Sequence, residues 1–160
     1  SDVCSSDLRP PARSHLLCRH EMTEPPTAPQ TAVKKPILCL DFDGVCHSYT
    51  SGWKGADVIP DPPVTGLFEF LEKASRIFDI HVFSSRTAQP GGKEAMIAWF
   101  IDERKRWREA GGVGRAVLGI SFPTEKPPAF VTLDDRALTF NGIWPDVETL
   151  AAFTPWNQHQ

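Results

Sequence analysis

One stretch, Ile37-Leu38-Cys39-Leu40-Asp41-Phe42-Asp43-Gly44-Val45, constrains this 160-residue chain more than any other. Four apolar residues in a row, set between Pro36 and Gly44, read as a strand buried on both faces. Such a strand belongs in the middle of a parallel sheet covered by helices. It ends abruptly in two carboxylates one residue apart. Side chains alternate along a strand, so Asp41 and Asp43 share a side while Phe42 turns away. Gly44 lets the chain leave by a tight turn. A polar turn after a core strand explains Gly44 and one Asp, but not the pair. Two acids that close repel one another and lose solvation, and a divalent cation is the simplest compensation.

The rest of the chain supplies an alternating pattern. Residues 1–35 mix Ser, Pro, Arg and Thr without apolar periodicity and read as a disordered or artefactual tail, with Met22 a sensible start. Residues 46–61 are polar and glycine-rich yet hold Tyr49 and Trp53, so they read as a flap over the carboxylates, against the alternative of a plain surface hairpin. Pro62-Pro63 opens a helix whose buried face is Val64, Leu67, Phe68, Leu71 and Ala74. A second strand, Asp79–Ser84, is followed by a helix from about Lys93 to Glu109 with a solvated basic face at Arg104, Lys105, Arg106 and Arg108. Strands at Ala116–Phe122 and Ala129–Leu133 come next, then a short helix over Asp146–Ala152. The pattern predicts an α/β fold with a mostly parallel sheet and one domain over residues 36–156. Ligands in such sheets sit beyond the C-terminal strand ends, where Asp41, Asp43, Ser84 and Asp134 all fall, with Lys126 just before the last strand.

Composition narrows the function classes. A net charge of −3 argues against long nucleic acid or an anionic membrane as the main partner. Neither a membrane-spanning apolar run nor a signal peptide is visible. Cys4, Cys18, Cys39 and Cys46 have no CxxC spacing, so a reduced, cytoplasmic setting is expected.

Asp41-Phe42-Asp43-Gly44-Val45, Ser84, Lys126-Pro127 and Asp134-Asp135 together resemble the four ordered motifs of the haloacid dehalogenase-like (HAD) superfamily. The resemblance runs from about Ile37 to Trp144, and this wider run also resembles small phage and bacterial phosphatase-like members. Ser84-Ser85-Arg86 and Asp134-Asp135-Arg136 resemble stretches of the phosphatase domain of phage polynucleotide kinase. It implies a Rossmann-like three-layer sandwich without a large cap domain. It also implies Mg²⁺ held by Asp41, the backbone carbonyl of Asp43 and Asp134, with Asp135 bound through water or orienting the others. On the same footing Asp41 is the nucleophile and Asp43 the acid and base, Ser84 holds the phosphoryl group and Lys126 supplies fixed charge. Gly44, Ser85, Arg86 and Arg136 fall to the substrate side.

The implied activity is hydrolysis of phosphate monoesters, on a phosphorylated small molecule or a nucleic-acid end. Several residues keep two readings. Arg86 and Arg136 hold substrate phosphates or pair with nearby Asp residues. Tyr49 and Trp53 stack on a base or sugar, or anchor the flap. His47 is expected to contact substrate or solvent from the flap. Two other functions compete: a Mg²⁺-binding regulatory module without turnover, and a receiver-like phosphoacceptor. The position of the acidic pair late in the chain, and Asp43 as a means of hydrolysing an acyl phosphate, favour the enzyme over the receiver.

Overall fold

The structure is a computed structural model that describes residues 34–114 and 119–158. The expected tail over residues 1–35 therefore lies outside the described residues except for Lys34 and Lys35; Lys35 donates from Nζ to the Ser75 carbonyl at 2.6 Å. The described part is α/β, built on a small open parallel sheet in the order β2-β1-β3. Its strands are β1 (Ile37–Leu40), β2 (Asp79–Val82) and β3 (Val131–Leu133). Helix α1 (Leu67–Ala74) connects β1 to β2; α2 (Gly92–Glu109) and a short α3 (Val147–Ala151) follow β2 and β3. No helix among the described residues is long and apolar enough to cross a membrane.

The apolar run became the central strand because both of its edges are paired. Leu40 stands opposite Val82 on one side and Leu133 on the other. Period-two alternation puts Leu38 and Leu40 on one face, level with Ile80 and Val82. These four join Leu67, Phe68, Leu71 and Ala74 of α1 and Met96, Trp99 and Phe100 of α2 in one core cluster. The alternation continues to Phe42, which is wholly buried and meets Trp99 edge-on with centroids 5.1 Å apart. Asp41 is thereby turned to the opposite face, which also carries Cys39, His81 and Thr132.

Helix α2 begins where two glycines permit it. Gly91 has φ 75°, and a side chain at Gly92 would collide with the Arg86 carbonyl. Arg106 and Arg108 fall in its last turn, where cations complement the helix dipole. Trp107 stacks on Phe68 at 5.4 Å and ties α2 to α1. Asp146 caps α3 by accepting from the Thr149 N–H, as the Asp146 start of the expected helix requires.

Two expected elements differ. The helix does not open at Pro62-Pro63 but at Leu67, because Pro63 forms a bridge with His47 and the Val64 N–H donates to the Cys46 carbonyl. Gly66, at φ 85°, then turns the chain into α1. Of the strand expected over Ala116–Phe122, residues 116–118 lie outside the described residues. Among the described ones Ser121 makes a single parallel bridge to His81, and Gly119, at φ 94°, is incompatible with regular strand backbone.

Candidate functional site

The sheet delivers the polar side chains to one edge. The Asp41 N–H donates to the Leu133 carbonyl at 2.9 Å and the Phe83 N–H to the Leu40 carbonyl at 2.9 Å, so the three strand ends are locked level. Asp41 follows β1 directly, Asp134 and Asp135 follow β3, and Ser84 lies two residues beyond β2. Two adjoining cavities of about 170 and 270 Å³ share Asp41, Ser84, Ser85 and Arg136. The smaller adds Asp43, Tyr49 and Trp53; the larger adds Lys126 and Asp134. The polar side chains singled out by the sequence thus line one cleft, except those of His47, Arg86 and Asp135.

Asp41, Asp134 and Asp135 each offer a carboxylate oxygen, and these atoms lie within 4.8 Å of one another. Burial raises the Asp41 carboxyl to about 7, helped by the charges of Asp134, Asp135 and Asp43 and opposed by the Phe42 N–H. Burial likewise pushes Asp135 up. Its side chain is fully buried, and neither oxygen has a hydrogen-bond partner among the described residues. The nearest cation, Arg136, stands 3.9 Å away. A buried carboxylate in that condition is costly unless a positive charge satisfies it. The donor set is all oxygen, which suits a hard divalent cation. The three acids fit a metal ion.

The Asp43 carboxylate stands apart from this cluster. His47 donates from Nδ1 to Oδ1 at 2.9 Å, and Arg86 donates from Nε to Oδ2 at 2.8 Å. Burial pushes the Asp43 carboxyl up, but these two hydrogen bonds outweigh it and hold it below the usual carboxylate range. Arg86 is itself wholly buried. Its Nη1 donates to the carbonyls of Gly55 at 2.6 Å and Ala56 at 2.9 Å, and its guanidinium lies 4.4 Å from the Trp53 ring centroid. Arg86 therefore pairs with an Asp and staples the 46–61 loop, while its Nη2 has no hydrogen-bond partner among the described residues.

Ser84 is buried, and its Oγ accepts from the Arg86 N–H at 3.3 Å, which leaves its own O–H proton for a ligand. Ser85, Lys126 and Arg136 are exposed on the cleft wall. Gly44 has φ 88°, and a side chain there would run into the Asp135 carboxylate. The glycine thus admits the acid to the cluster.

Four contributors were not legible as such. His47, expected at substrate or solvent, is instead wholly buried, stacked on Phe42 with centroids 5.5 Å apart. Its Nε2 accepts from the Asp61 N–H at 3.1 Å. The Asp61 carboxylate in turn accepts from the N–H and hydroxyl of Ser51, at 2.8 and 2.6 Å, and closes the loop on itself. Trp156 donates from its indole N–H to the Gly44 carbonyl at 2.9 Å, and the buried Asn157 donates to the Ser48 carbonyl at 3.4 Å. Both contacts lie at the C-terminal limit expected for the domain. A polar residue framed by prolines, as Asp61 is in Pro60-Asp61-Pro62, was the one available signal.

Comparison with protein-family models, with curated proteins and with solved structures gives no match to this chain.

Proposed function

We propose that this chain is a Mg²⁺-dependent phosphomonoester hydrolase of the HAD-like kind, with its Rossmann-like three-layer fold and no cap, working through an aspartyl-phosphate on Asp41. The observation that carries the reading is the convergence of Asp41, Ser84, Lys126 and Asp134 on one cleft, beside the buried carboxylate of Asp135, which accepts no hydrogen bond among the described residues. Asp41, Asp134 and Asp135 would hold the ion, along with the Asp43 carbonyl that the motif implies. Bound there, Mg²⁺ neutralises charge on the carboxylates and on the phosphoryl oxygens.

The chain's own groups account for the steps. An Asp41 oxygen attacks phosphorus as the bond to the leaving oxygen breaks, and an acyl phosphate forms. The Ser84 hydroxyl and the Lys126 ammonium stabilise the phosphoryl oxygens, and Arg136 at the rim supports the remainder of the substrate. Asp43 then takes the proton of the water that hydrolyses the acyl phosphate, a task suited to its ionised state. Protonation of the leaving oxygen requires Asp43 to carry a proton first, and substrates with weakly basic leaving groups need this least. The uncapped cleft, with Tyr49 and Trp53 on its wall, favours nucleotides or polynucleotide 3′-phosphate ends. The two-sided engagement of Asp43 is also what favours the second reading, a Mg²⁺-binding module without turnover.

The test is phosphate release from 4-nitrophenyl phosphate, from nucleotides and from 3′-phosphorylated oligonucleotides, with Mg²⁺ and with EDTA. Expected is metal-dependent release that falls at least about a thousandfold in Asp41→Asn. Absence of release from every substrate, in folded protein that binds Mg²⁺, would transfer the assignment to the binding module.

A further inference from the structure

We propose that His47 is a positioning residue, which aims the Asp43 carboxylate into the cleft and is itself aimed by the backbone of Asp61. This rests on the reading of Asp43 as the proton-transfer group of a phosphatase. The segment 47–61, which puts Tyr49 and Trp53 on the cleft wall, then also delivers a fixed hydrogen-bond chain to the site.

Each link is defined. The Asp61 N–H points at His47 Nε2 at 3.1 Å, nearer than the Asp61 carboxylate at 3.5 Å, so that nitrogen is an acceptor. A neutral ring that accepts at Nε2 carries its proton on Nδ1, where it faces Asp43 Oδ1 at 2.9 Å. The ring cannot swing away, for it is wholly buried between Phe42, at 5.5 Å, and the edge of Trp99, at 5.8 Å between centroids. Trp99 is fastened to the same loop, because its indole N–H donates to the Asp61 carbonyl at 3.1 Å. Asp61 thus directs the imidazole through its N–H and secures one of the imidazole's walls through its C=O. Arg86 holds the other Asp43 oxygen from the opposite side. A proton-transfer carboxylate fixed at both oxygens loses its freedom to rotate, and positioning of that kind contributes to the rate of the step it performs.

The geometry separates two conservative replacements. In His47→Asn the amide nitrogen falls near the place of Nδ1 and keeps the bond to Asp43. In His47→Gln the amide falls near the place of Nε2, keeps the partner on Asp61 and abandons Asp43. Both variants would be compared with wild type, in Mg²⁺, for kcat and KM on 4-nitrophenyl phosphate and on a simple alkyl phosphate. Expected in His47→Gln is a fall in kcat of about tenfold or more on the alkyl ester, a smaller fall on the aryl ester and little change in KM. His47→Asn should recover most of the loss. Equal losses in both variants, or losses that ignore the leaving group, would overturn the positioning role while leaving the phosphatase reading intact. A wild-type protein that releases no phosphate would overturn both. Should the variants fail to fold, ¹⁵N-edited NMR of the wild-type histidines decides the point. A slowly exchanging Nδ1–H on His47 that shifts in Asp43→Asn is expected, and protonation at Nε2 instead would refute the chain.

Discussion

Asp41 is held in a state that works against the fold, and replacing it with Asn should make the metal-free protein more stable. Its carboxyl is moved from 3.8 to about 7, chiefly by burial. An acid whose pKa is higher folded than unfolded binds more protons in the native state, so stability declines as pH rises between those two values and is level above them. The displacement spans about 3 pH units at about 1.4 kcal/mol each, or roughly 4 kcal/mol. Solvent at the partly exposed carboxyl reduces this to about 2–3 kcal/mol. Asn is nearly the same size, carries no charge and can donate to the Asp134 and Asp135 carboxylates. Urea unfolding followed by tryptophan fluorescence in EDTA should therefore show the variant ahead of wild type by about 1 kcal/mol at pH 5 and by about 2–3 kcal/mol at pH 8. Saturating Mg²⁺ should close the gap, since an ion at a hundred times its dissociation constant stabilises wild type by about 2.7 kcal/mol and the variant by less. The reasoning fails if the variant is the less stable protein at pH 8 without metal, or if its advantage is the same at both pH values.

Two further substitutions test parts of the same edge. Gly44→Ala places a methyl group against the Asp135 carboxylate at a backbone φ of 88°. It should cost about 1–3 kcal/mol in urea unfolding and weaken Mg²⁺ binding in calorimetry, with unaltered Mg²⁺ affinity counting against Asp135 as part of the centre. Trp156→Phe keeps the ring but removes the indole donor to the Gly44 carbonyl. A loss of about 1 kcal/mol is expected, together with faster hydrogen exchange through residues 44–48; unchanged exchange there would show that the contact restrains nothing.

The sequence made some of this legible and hid the rest for physical reasons. A continuous apolar run closed by Asp and Gly has few uses other than a central strand, and β1 lies within it. The short helix expected from Asp146 is α3, whose start Asp146 caps, because capping is a local matter settled within a turn of chain. Pro62-Pro63 misled because prolines suit a helix start and an extended pairing segment equally; the pairing with His47 decided between them. Convergence of the cleft residues followed from the rule that parallel strands gather their C-terminal ends. His47 and Arg86 were the opposite case. Both carry side chains that ordinarily face water, and their burial depends on partners 14 to 43 residues away that no local pattern identifies. The same distance hid Trp156 and Asn157.

Those distances also set an order of events. Gly44 and Trp156 are 112 residues apart, and Ser48 and Asn157 are 109 apart. At synthesis rates of about 5–20 residues per second, the acidic loop of a nascent chain waits roughly 5 to 20 s for the indole that fastens it. Asp43 meets Arg86 earlier, across 43 residues. The pieces of the cleft therefore become available in sequence: Asp43 and Arg86 first, Asp134 and Asp135 after β3, and the indole that fastens Gly44 last. Contacts this remote raise the contact order, which slows folding as a whole. A chain interrupted shortly before Trp156 would contain every proposed catalytic group and still lack the fastening that holds the first two of them in register.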